Sequence, residues 1–125
     1  MKDINRQVGR FGETEAAGYL MSEGHTVLAR NWRRSRCEID LITLDYRGVH
    51  FVEVKTRFSA DVDPLANITR VKKRNMVKAA LDFLESPDRV NLQGQELFFD
   101  VITITLEGEG MKLRYYPEAF VPIYL

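Results

Sequence analysis

The order of helical and extended patterns along the sequence predicts an α/β protein, a mixed β-sheet with helices packed on it. Amphipathic stretches from Ile4 to Glu23 and from Thr69 to Glu85 have the apolar spacing of helices. Apolar-rich runs bounded by turn residues follow them, three after the first stretch and two after the second. The predicted element order is therefore α-β-β-β-α-β-β, and such a succession forms one layered domain.

Length, charge and cysteine content narrow the class of protein. The chain has 125 residues, so we expect a single domain over residues 1–125 with one real core. Basic and acidic residues number 18 each, so the formal net charge is zero and nucleic-acid binding would require local basic patches. The lone Cys37 excludes an internal disulfide and is typical of a reducing cytoplasm. No signal-like or membrane-spanning run is seen, so no membrane partner is expected.

The first predicted helix contains two features that ordinary packing does not explain. Gly9 and Gly12 each cost a helix about 1 kcal/mol relative to Ala, which indicates close approach to another backbone or to a ligand. Glu13 lies at the edge of the apolar face, and the residues alone favour a surface acid over an acid aimed at a site. Gly24 is the expected C-cap. The predicted buried stripe consists of Val8, Phe11, Ala16, Tyr19 and Leu20.

A short strand is predicted from Thr26 to Ala29, followed by the basic segment Arg30–Arg36 around Trp32. This segment has guanidinium groups, an aromatic ring and no acid, which is typical of a rim that contacts phosphates. The alternative is a solvated loop with Trp32 packed in the core, and both descriptions can hold together. His25, before the strand, is interpreted as structural or exposed, without a ligand role. The arginines of the segment are Arg30, Arg33, Arg34 and Arg36.

Two apolar-rich runs, Glu38–Leu44 and Val49–Lys55, predict a β-hairpin whose turn runs from Asp45 to Gly48. One register pairs Leu44 with Val49 and brings Asp40 opposite Glu53. A tighter turn brings Asp40 opposite Lys55 instead. Because strand side chains alternate between faces, either register places the charged groups of the hairpin on one face.

Opposed acids in paired strands have Cβ atoms about 5 Å apart, and their like charges are destabilising. A divalent metal ion or a neighbouring ammonium would offset this repulsion. Asp, Glu and Lys at one spot are also what metal-assisted phosphodiester cleavage needs, because carboxylates hold Mg²⁺ and the lysine stabilises developing charge. The alternative is a salt-bridged, solvent-facing sheet surface. The spacing alone favours neither.

The second predicted helix is expected to end at Ser86-Pro87. Its first half has five basic residues and no acid to compensate them, so it forms a second basic patch. The preceding loop contains Asp61 and Asp63, where a plain turn is favoured over metal ligation. The basic residues are Arg70, Lys72, Lys73, Arg74 and Lys78. The predicted core stripe is Val77, Ala80, Leu81 and Leu84, with Val71 and Phe83 beside it.

The last two strands are predicted from Leu97 to Leu106 and from Met111 to Tyr116. Asp100 interrupts the apolar run of the first, and a buried carboxylate there needs a partner. A structural role is favoured over a place in the site. The apolar tail Phe120–Leu125 is expected to pack on the domain edge or on a partner subunit.

Three motifs read together resemble the YraN family. Residues Gly9–Ala16 are similar to its G-x-x-G-E-x-x-A motif, Glu38–Ile42 to its E-I-D-L-I segment, and Phe51–Arg57 to its F-V-E-V-K-x-R segment. A basic helix with Lys72 or Lys73 and a Phe99-Asp100-Val101 strand complete the order over nearly the whole chain. Cys37 stands where the family usually has Gly.

The resemblance implies a restriction-endonuclease-like fold, since the family is classed by similarity with Holliday-junction resolvases in the PD-(D/E)XK nuclease superfamily. It also implies that Asp40, Glu53 and Glu13 ligate Mg²⁺ or Mn²⁺ and that Lys55 is the motif lysine. Glu13 thereby becomes a site residue rather than a surface acid. Glu38 is left as the partner of Lys55 or of an arginine.

The resulting hypothesis is a metal-dependent endonuclease-like protein acting on structured or branched DNA, with Glu13, Asp40, Glu53 and Lys55 as catalytic residues. Because resolvases of this superfamily act as symmetric dimers, a homodimer is expected. Two alternatives remain: a nucleic-acid-binding module on a nuclease fold with little or no turnover, and a small protein-interaction domain that uses the apolar tail. The residues expected to contact nucleic acid are Arg33, Arg34, Arg36, Arg57, Lys72 and Lys73.

Overall fold

The structure, a computed structural model, describes residues 2–58, 65, 68–87 and 92–122. The predicted element order is confirmed. The elements are α1 (Lys2–Ser22), β1 (Thr26–Arg34), β2 (Cys37–Asp45), β3 (Gly48–Arg57), α2 (Arg70–Glu85), β4 (Glu96–Glu107) and β5 (Gly110–Phe120). Neither helix among the described residues is long and apolar enough to cross a membrane.

The strands form one five-stranded sheet in the order β1-β2-β3-β4-β5. All neighbours are antiparallel except β3 and β4, which are parallel. A parallel pair needs a crossover, and α2 lies in that connection. The sheet is therefore mixed, and the architecture agrees with the predicted restriction-endonuclease-like fold.

The two helices enclose separate apolar clusters. Side chains of α2 pack with Ile39, Val49, Phe51 and Phe99 in the larger cluster. Side chains of α1 form the smaller cluster with sheet residues that include Leu41. The members of this second cluster are Ala16, Ala17, Leu20, Leu41, Val52, Ile102 and Ile104. The hairpin of β2 and β3 is thus held between two layers, which fixes its position on both faces.

The predicted buried face of α2 is wrong: each residue of the observed stripe lies one position before the corresponding predicted residue. Leu81 is 47% exposed and Val71 is 61% exposed. The predicted and the observed stripes have the same helical spacing, so periodicity alone could not separate them. The ring of Phe83 decides between them, because it meets Trp32 and Phe51 edge-on at centroid distances of 5.5 and 6.3 Å. The buried residues are Met76, Ala79, Ala80 and Phe83.

The face of α1 also differs from the prediction at one residue. Phe11 is 42% exposed, although it was placed in the stripe, while Ala17 is buried. Gly12, one residue on, is in close contact with β3, since a Cβ there would lie 1.9 Å from Thr56 Oγ1. Phe11 lies beside this contact rather than in it. Gly9 has open space around it, and Gly12 approaches the side chain of Thr56 rather than the expected backbone or ligand.

The first strand is longer than predicted. It continues through the basic segment to Arg34 and leaves only Ser35 and Arg36 as a turn. Pairing with β2 extends it, for Trp32 lies opposite Ile39. A register shift early in the strand and a positive φ of 50° at Asn31 allow this course. Trp32 is half-buried against Phe83, which confirms its predicted packing in the core.

The ends of α2 agree with the prediction, whereas β5 continues four residues beyond its predicted end at Tyr116, to Phe120. Thr69 caps α2 by accepting a hydrogen bond from the Lys72 amide, and Ser86 ends the helix. Phe120 stacks on Phe99 at a centroid distance of 5.1 Å, so the start of the apolar tail packs on the sheet. Asp61, Asp63 and residues 123–125 lie outside the described residues.

Candidate functional site

The hairpin adopts the first of the two predicted registers, with Leu44 opposite Val49. Continued along the strands, this register places Asp40 opposite Glu53. Asp40 Oδ2 accepts a hydrogen bond of 2.8 Å from the backbone N–H of Val54, so its carboxyl group is held against β3. Glu53 is buried, with 6% of its surface exposed. The predicted pair of opposed acids is therefore present and withdrawn from solvent.

The electrostatic environment of Asp40 is unfavourable to its charge. Burial, a side-chain hydrogen bond with Glu53 and the charge of Glu53 raise the pKa of Asp40 to about 9. The hydrogen bond from Val54 lowers this pKa, and the charge of Glu13 raises it further. At neutral pH the Asp40 carboxyl is therefore protonated.

A lysine from α2 reaches this acidic pair. Lys72 Nζ lies 2.7 Å from Glu53 Oε2. Burial lowers the pKa of Lys72, but its hydrogen bond with Glu53 and the charges of Glu53 and Asp40 outweigh burial and raise it. The Glu53 side chain is 8% exposed and that of Lys72 is 37% exposed, so solvent reaches the pair from the lysine side. Lys72, predicted as a phosphate contact, is thus also a neighbour of the acids.

The other two predicted catalytic residues flank the pair. Lys55 follows Glu53 by two positions in β3, so the two side chains leave the same face of the strand. Glu13 is half-buried on α1, and its charge acts on Asp40. The contact of Gly12 with Thr56 brings this part of α1 against the end of β3. Carboxyl groups of β2 and β3 and the Lys72 ammonium of α2 thereby meet in one region, with Glu13 of α1 and Lys55 of β3 at its border.

The predicted basic residues border this region on two elements. Arg33 NH2 donates to Glu38 Oε2 at 3.0 Å, which confirms an arginine as the partner of Glu38. Arg34 and Arg36 are exposed near the same end of β1. Arg57, at the end of β3, donates to Thr105 Oγ1 at 3.2 Å.

The basic face of α2 borders a cavity. Arg70, Lys73, Arg74 and Phe120 line this space of about 460 Å³ together with neighbouring apolar residues. Lys73 Nζ lies 5.6 Å from the centre of the Phe120 ring. Lys72 and Lys73, adjacent in sequence, therefore point to different surroundings, one to Glu53 and the other to Phe120. The predicted second basic patch is therefore divided: Lys72 belongs to the acidic pair, and Lys73 belongs to the cavity beside the end of β5.

A second polar cluster was not predicted. His25, Asp45 and His50 have ligating atoms within 4.8 Å of one another, and this group could hold a metal ion. Burial raises the pKa of Asp45, but hydrogen bonds from His50 and from the Arg47 amide outweigh it and lower this pKa. Burial and the charge of His50 lower the pKa of His25. His25 is therefore a buried, bonded residue. Asp45 and His50 lie five positions apart across the hairpin turn, but His25 lies 20 positions before Asp45, so the spacing in the sequence does not indicate the group.

Asp100 is fully buried and joins this cluster to β5. It accepts hydrogen bonds from Tyr115 Oη and from the Glu118 amide, at 2.5 and 2.9 Å, and lies 2.7 Å from His50 Nδ1. Burial and the bond to Asp100 raise the pKa of Tyr115. The sequence predicts that a carboxylate in this apolar strand needs partners. The fold identifies them as His50, Tyr115 and the Glu118 amide.

The mixed sheet and its two flanking helices place the protein in the restriction-endonuclease-like class of α/β folds. A sequence model of the uncharacterised protein family UPF0102 matches residues 12–104. The chain belongs to this family, the YraN family that its motifs resemble.

Relatives in the family match nearly the whole chain. A UPF0102 protein of Chlorobium phaeobacteroides is 40% identical over an alignment of 131 residues, gaps included. The alignment covers 97% of this chain and 99% of the relative. One from Geobacter metallireducens is 37% identical over 122 residues, 96% of this chain and 97% of the relative. One from Nitratidesulfovibrio vulgaris is 33% identical over 121 residues, 96% of this chain and 88% of the relative.

Proposed function

We propose that the protein is a metal-dependent endonuclease that acts on structured or branched DNA. The observation that carries the proposal is the contact between half-buried Asp40 and buried Glu53, where burial and Glu53 together raise the pKa of Asp40 to about 9. Two opposed carboxyls, one buried and one half-buried, weaken a fold unless a cation or a proton compensates them. Such an arrangement is typical of functional sites, where strongly perturbed pKa values cluster.

The donor set suits a hard divalent cation. Mg²⁺ and Mn²⁺ prefer oxygen ligands, and Asp40, Glu53 and Glu13 offer carboxylate oxygens. These three residues would hold the ion. When bound, it would supply a Lewis acid for the phosphodiester and a water of lowered pKa. Ionisation of Asp40, which is disfavoured without a cation, would become favourable with one.

The remaining residues act on the nucleic acid directly. Lys55, beside Glu53, would contact the scissile phosphate and stabilise the negative charge that develops on it. Lys72, paired with Glu53, would turn towards a phosphate once Glu53 has another cationic partner. Positive charges on both sides of the acids would hold the phosphate backbone. These residues are Arg33, Arg34, Arg36, Arg57, Lys72 and Lys73.

Cleavage of both strands at a junction would require two such sites, so the proposal includes a cytoplasmic homodimer with one site per strand. Its oligomeric state can be measured by light scattering, with and without junction DNA. A dimer that forms only with DNA would agree with the proposal as well as a constitutive one would. A monomer bound singly to each junction would contradict the dimeric part.

A second function is supported by the ion pair between Lys72 and Glu53. This internal cation neutralises Glu53 without a metal, as a nucleic-acid-binding module with little or no turnover would require. Such a module would bind DNA in a salt-sensitive manner but would not bind Mn²⁺ at the acids. Calorimetric titration with Mn²⁺ therefore separates the two functions.

The proposal is tested by incubating the purified protein with a four-way junction, a flap and a linear duplex in Mg²⁺ or Mn²⁺. We expect cleavage of a branched substrate, which Asp40→Asn and Glu53→Gln reduce by at least about 100-fold. Glu38→Gln is the matched control, because Glu38 pairs with Arg33 and not with the acids. The proposal is wrong if no substrate is cut, or if Asp40→Asn cuts as fast as the unaltered protein.

A further inference from the structure

The buried cluster below the end of α1 has the arrangement of a three-ligand metal site. His50 Nε2 lies 2.8 Å from Asp45 Oδ1, and His25 Nε2 lies 3.4 Å from Asp45 Oδ2. The side chains of these three residues are at most 5% exposed. Ligand atoms bound at about 2.1 Å in a tetrahedron are about 3.4 Å apart, so only small movements would separate these atoms to that distance.

The outer nitrogen of each imidazole is held by a second group. His50 Nδ1 lies 2.7 Å from Asp100 Oδ2, and His25 Nδ1 lies 2.8 Å from Thr43 Oγ1. Metal-binding histidines almost always donate their other ring N–H to a carboxylate, carbonyl or similar acceptor, which fixes the tautomer and the ring orientation. If each Nδ1 donates its proton to this partner, both Nε2 lone pairs face Asp45.

This arrangement requires a positive charge between His50 and Asp45. If His50 Nδ1 donates its proton to Asp100, then Nε2 presents a lone pair to a carboxylate oxygen 2.8 Å away, which is repulsive. Either a proton or a metal ion must lie between the two atoms. A divalent ion would balance the charges of Asp45 and Asp100 with both imidazoles neutral. Arg47, with Nε 3.7 Å from Asp45 Oδ2 and a side chain 39% exposed, balances them only partly.

We propose that His25, Asp45 and His50 form a binding site for a divalent transition metal of the Zn²⁺ type. Two imidazoles and one carboxylate select Zn²⁺ and its neighbours over Mg²⁺, which prefers oxygen ligands alone. Three protein ligands leave one position of a four-coordinate ion for water. Asp45 Oδ1 also accepts from the amides of Arg47 and Gly48, at 2.9 and 3.3 Å, which holds this ligand in place.

The site would connect the end of α1 with four strands of the sheet, β2 to β5. His25 follows α1, Asp45 ends β2 and His50 lies in β3. Through Asp100 and Tyr115 the bonds continue to β4 and β5. A bound ion would therefore stabilise the fold. Asp45 is five residues from Asp40 along β2, about 17 Å, so the site is separate from the proposed nuclease centre and independent of its function.

The test uses the full chain freed of metal by a chelator and titrated with Zn²⁺, and with Co²⁺ as a spectroscopic substitute. We expect one equivalent of either ion to bind, with the visible absorption of four-coordinate Co²⁺, and the melting temperature to rise with Zn²⁺ concentration. His25→Gln should weaken Zn²⁺ binding at least about 100-fold. Thr43→Val, which removes only the outer partner of His25, should weaken it about 10-fold.

Asp40→Asn is the control that separates this site from the acidic one. It should leave Zn²⁺ affinity and the Co²⁺ spectrum unchanged, whether or not the protein proves to be a nuclease. If His25→Gln fails to fold by circular dichroism, Thr43→Val and the Co²⁺ spectrum of the unaltered chain carry the test. The proposal is overturned if no ion binds and a proton alone occupies the cluster. Binding that persists unchanged in a folded His25→Gln or Thr43→Val protein would also overturn it.

Discussion

The ammonium of Lys72 lies 2.7 Å from the carboxylate of buried Glu53, which faces a second, half-buried acid, Asp40. An internal cation thus occupies one side of the acidic pair. The same contact explains how the pair persists in the fold. It also predicts competition, because a metal ion at Glu53 and the Lys72 ammonium would repel each other.

Lys72→Met tests this competition. Its neutral side chain keeps the apolar stem, so we expect Mn²⁺ to bind on the order of tenfold more tightly, a change of about 1.4 kcal/mol. Without metal, the free energy of unfolding should fall by about 1–2 kcal/mol, less than the loss of a fully buried pair because solvent screens the ammonium. Calorimetry and urea denaturation measure the two effects. Weaker Mn²⁺ binding in the variant would show that Lys72 does not compete with the ion.

The raised pKa of Asp40 predicts a pH dependence of stability. The folded pKa of about 9 exceeds the ordinary value of 3.8, so the folded state favours the protonated carboxyl. Its stabilising contribution is full below about pH 4 and is lost as pH rises towards 9. Without metal, the urea midpoint of the unaltered protein should fall over this range relative to Asp40→Asn. Equal pH profiles for the two proteins would contradict the raised pKa.

Divalent metal should reduce this difference. Binding of Mn²⁺ favours ionised Asp40, so saturating Mn²⁺ should raise the urea midpoint of the unaltered protein most at the higher pH values. The Asp40→Asn protein should gain much less. The control is Glu38→Gln, which should respond to Mn²⁺ as the unaltered protein does, since Glu38 is paired with Arg33.

The basic end of β1 should contribute to DNA affinity through phosphates. Arg33→Gln with Arg34→Gln should weaken binding to all sequences alike and reduce the slope of log affinity against log salt by about 2. Lys112→Gln with Arg114→Gln is a matched control, because these exposed residues lie on β5 at the opposite edge of the sheet. Fluorescence anisotropy over a range of salt concentrations measures both. Equal loss in the two double variants would contradict a localised phosphate surface.

Gly9 and Gly12, two of the three glycines of α1, should respond oppositely to alanine. Gly12→Ala would place a Cβ against Thr56 and push α1 from β3, so we expect a loss of about 1–3 kcal/mol in unfolding free energy. Gly9→Ala enters open space and should gain up to about 1 kcal/mol. Denaturant unfolding measures both changes, and Thr56→Ala should restore most of the loss in Gly12→Ala. A neutral Gly12→Ala would contradict the close contact.

The predicted fold depended on signals within single elements, which were sufficient for the element order but left two registers open for the hairpin. They failed where a tertiary contact decided the outcome. Alternation could not extend β1 to Arg34, because pairing with β2 holds that segment in the sheet. Helical spacing could not choose between two rotations of α2, since the choice depends on the ring of Phe83.

The candidate site divides in the same way. Asp40 and Glu53 were predictable together because one hairpin places them opposite each other. Lys72 was expected at a phosphate, and its position beside Glu53 follows from how α2 lies on the sheet. The cluster of His25, Asp45 and His50 was missed because it forms only when α1 ends over the hairpin turn. Patterns within one element do not indicate such a contact between elements.

The most direct measurement of the central claim is the anomalous diffraction of crystals soaked in Mn²⁺. The account predicts a metal peak in contact with Asp40 and Glu53, with the Lys72 ammonium displaced from its 2.7 Å contact with Glu53. Crystals that diffract well but show no peak between these two carboxyls, with the contact of Lys72 and Glu53 intact, would contradict it.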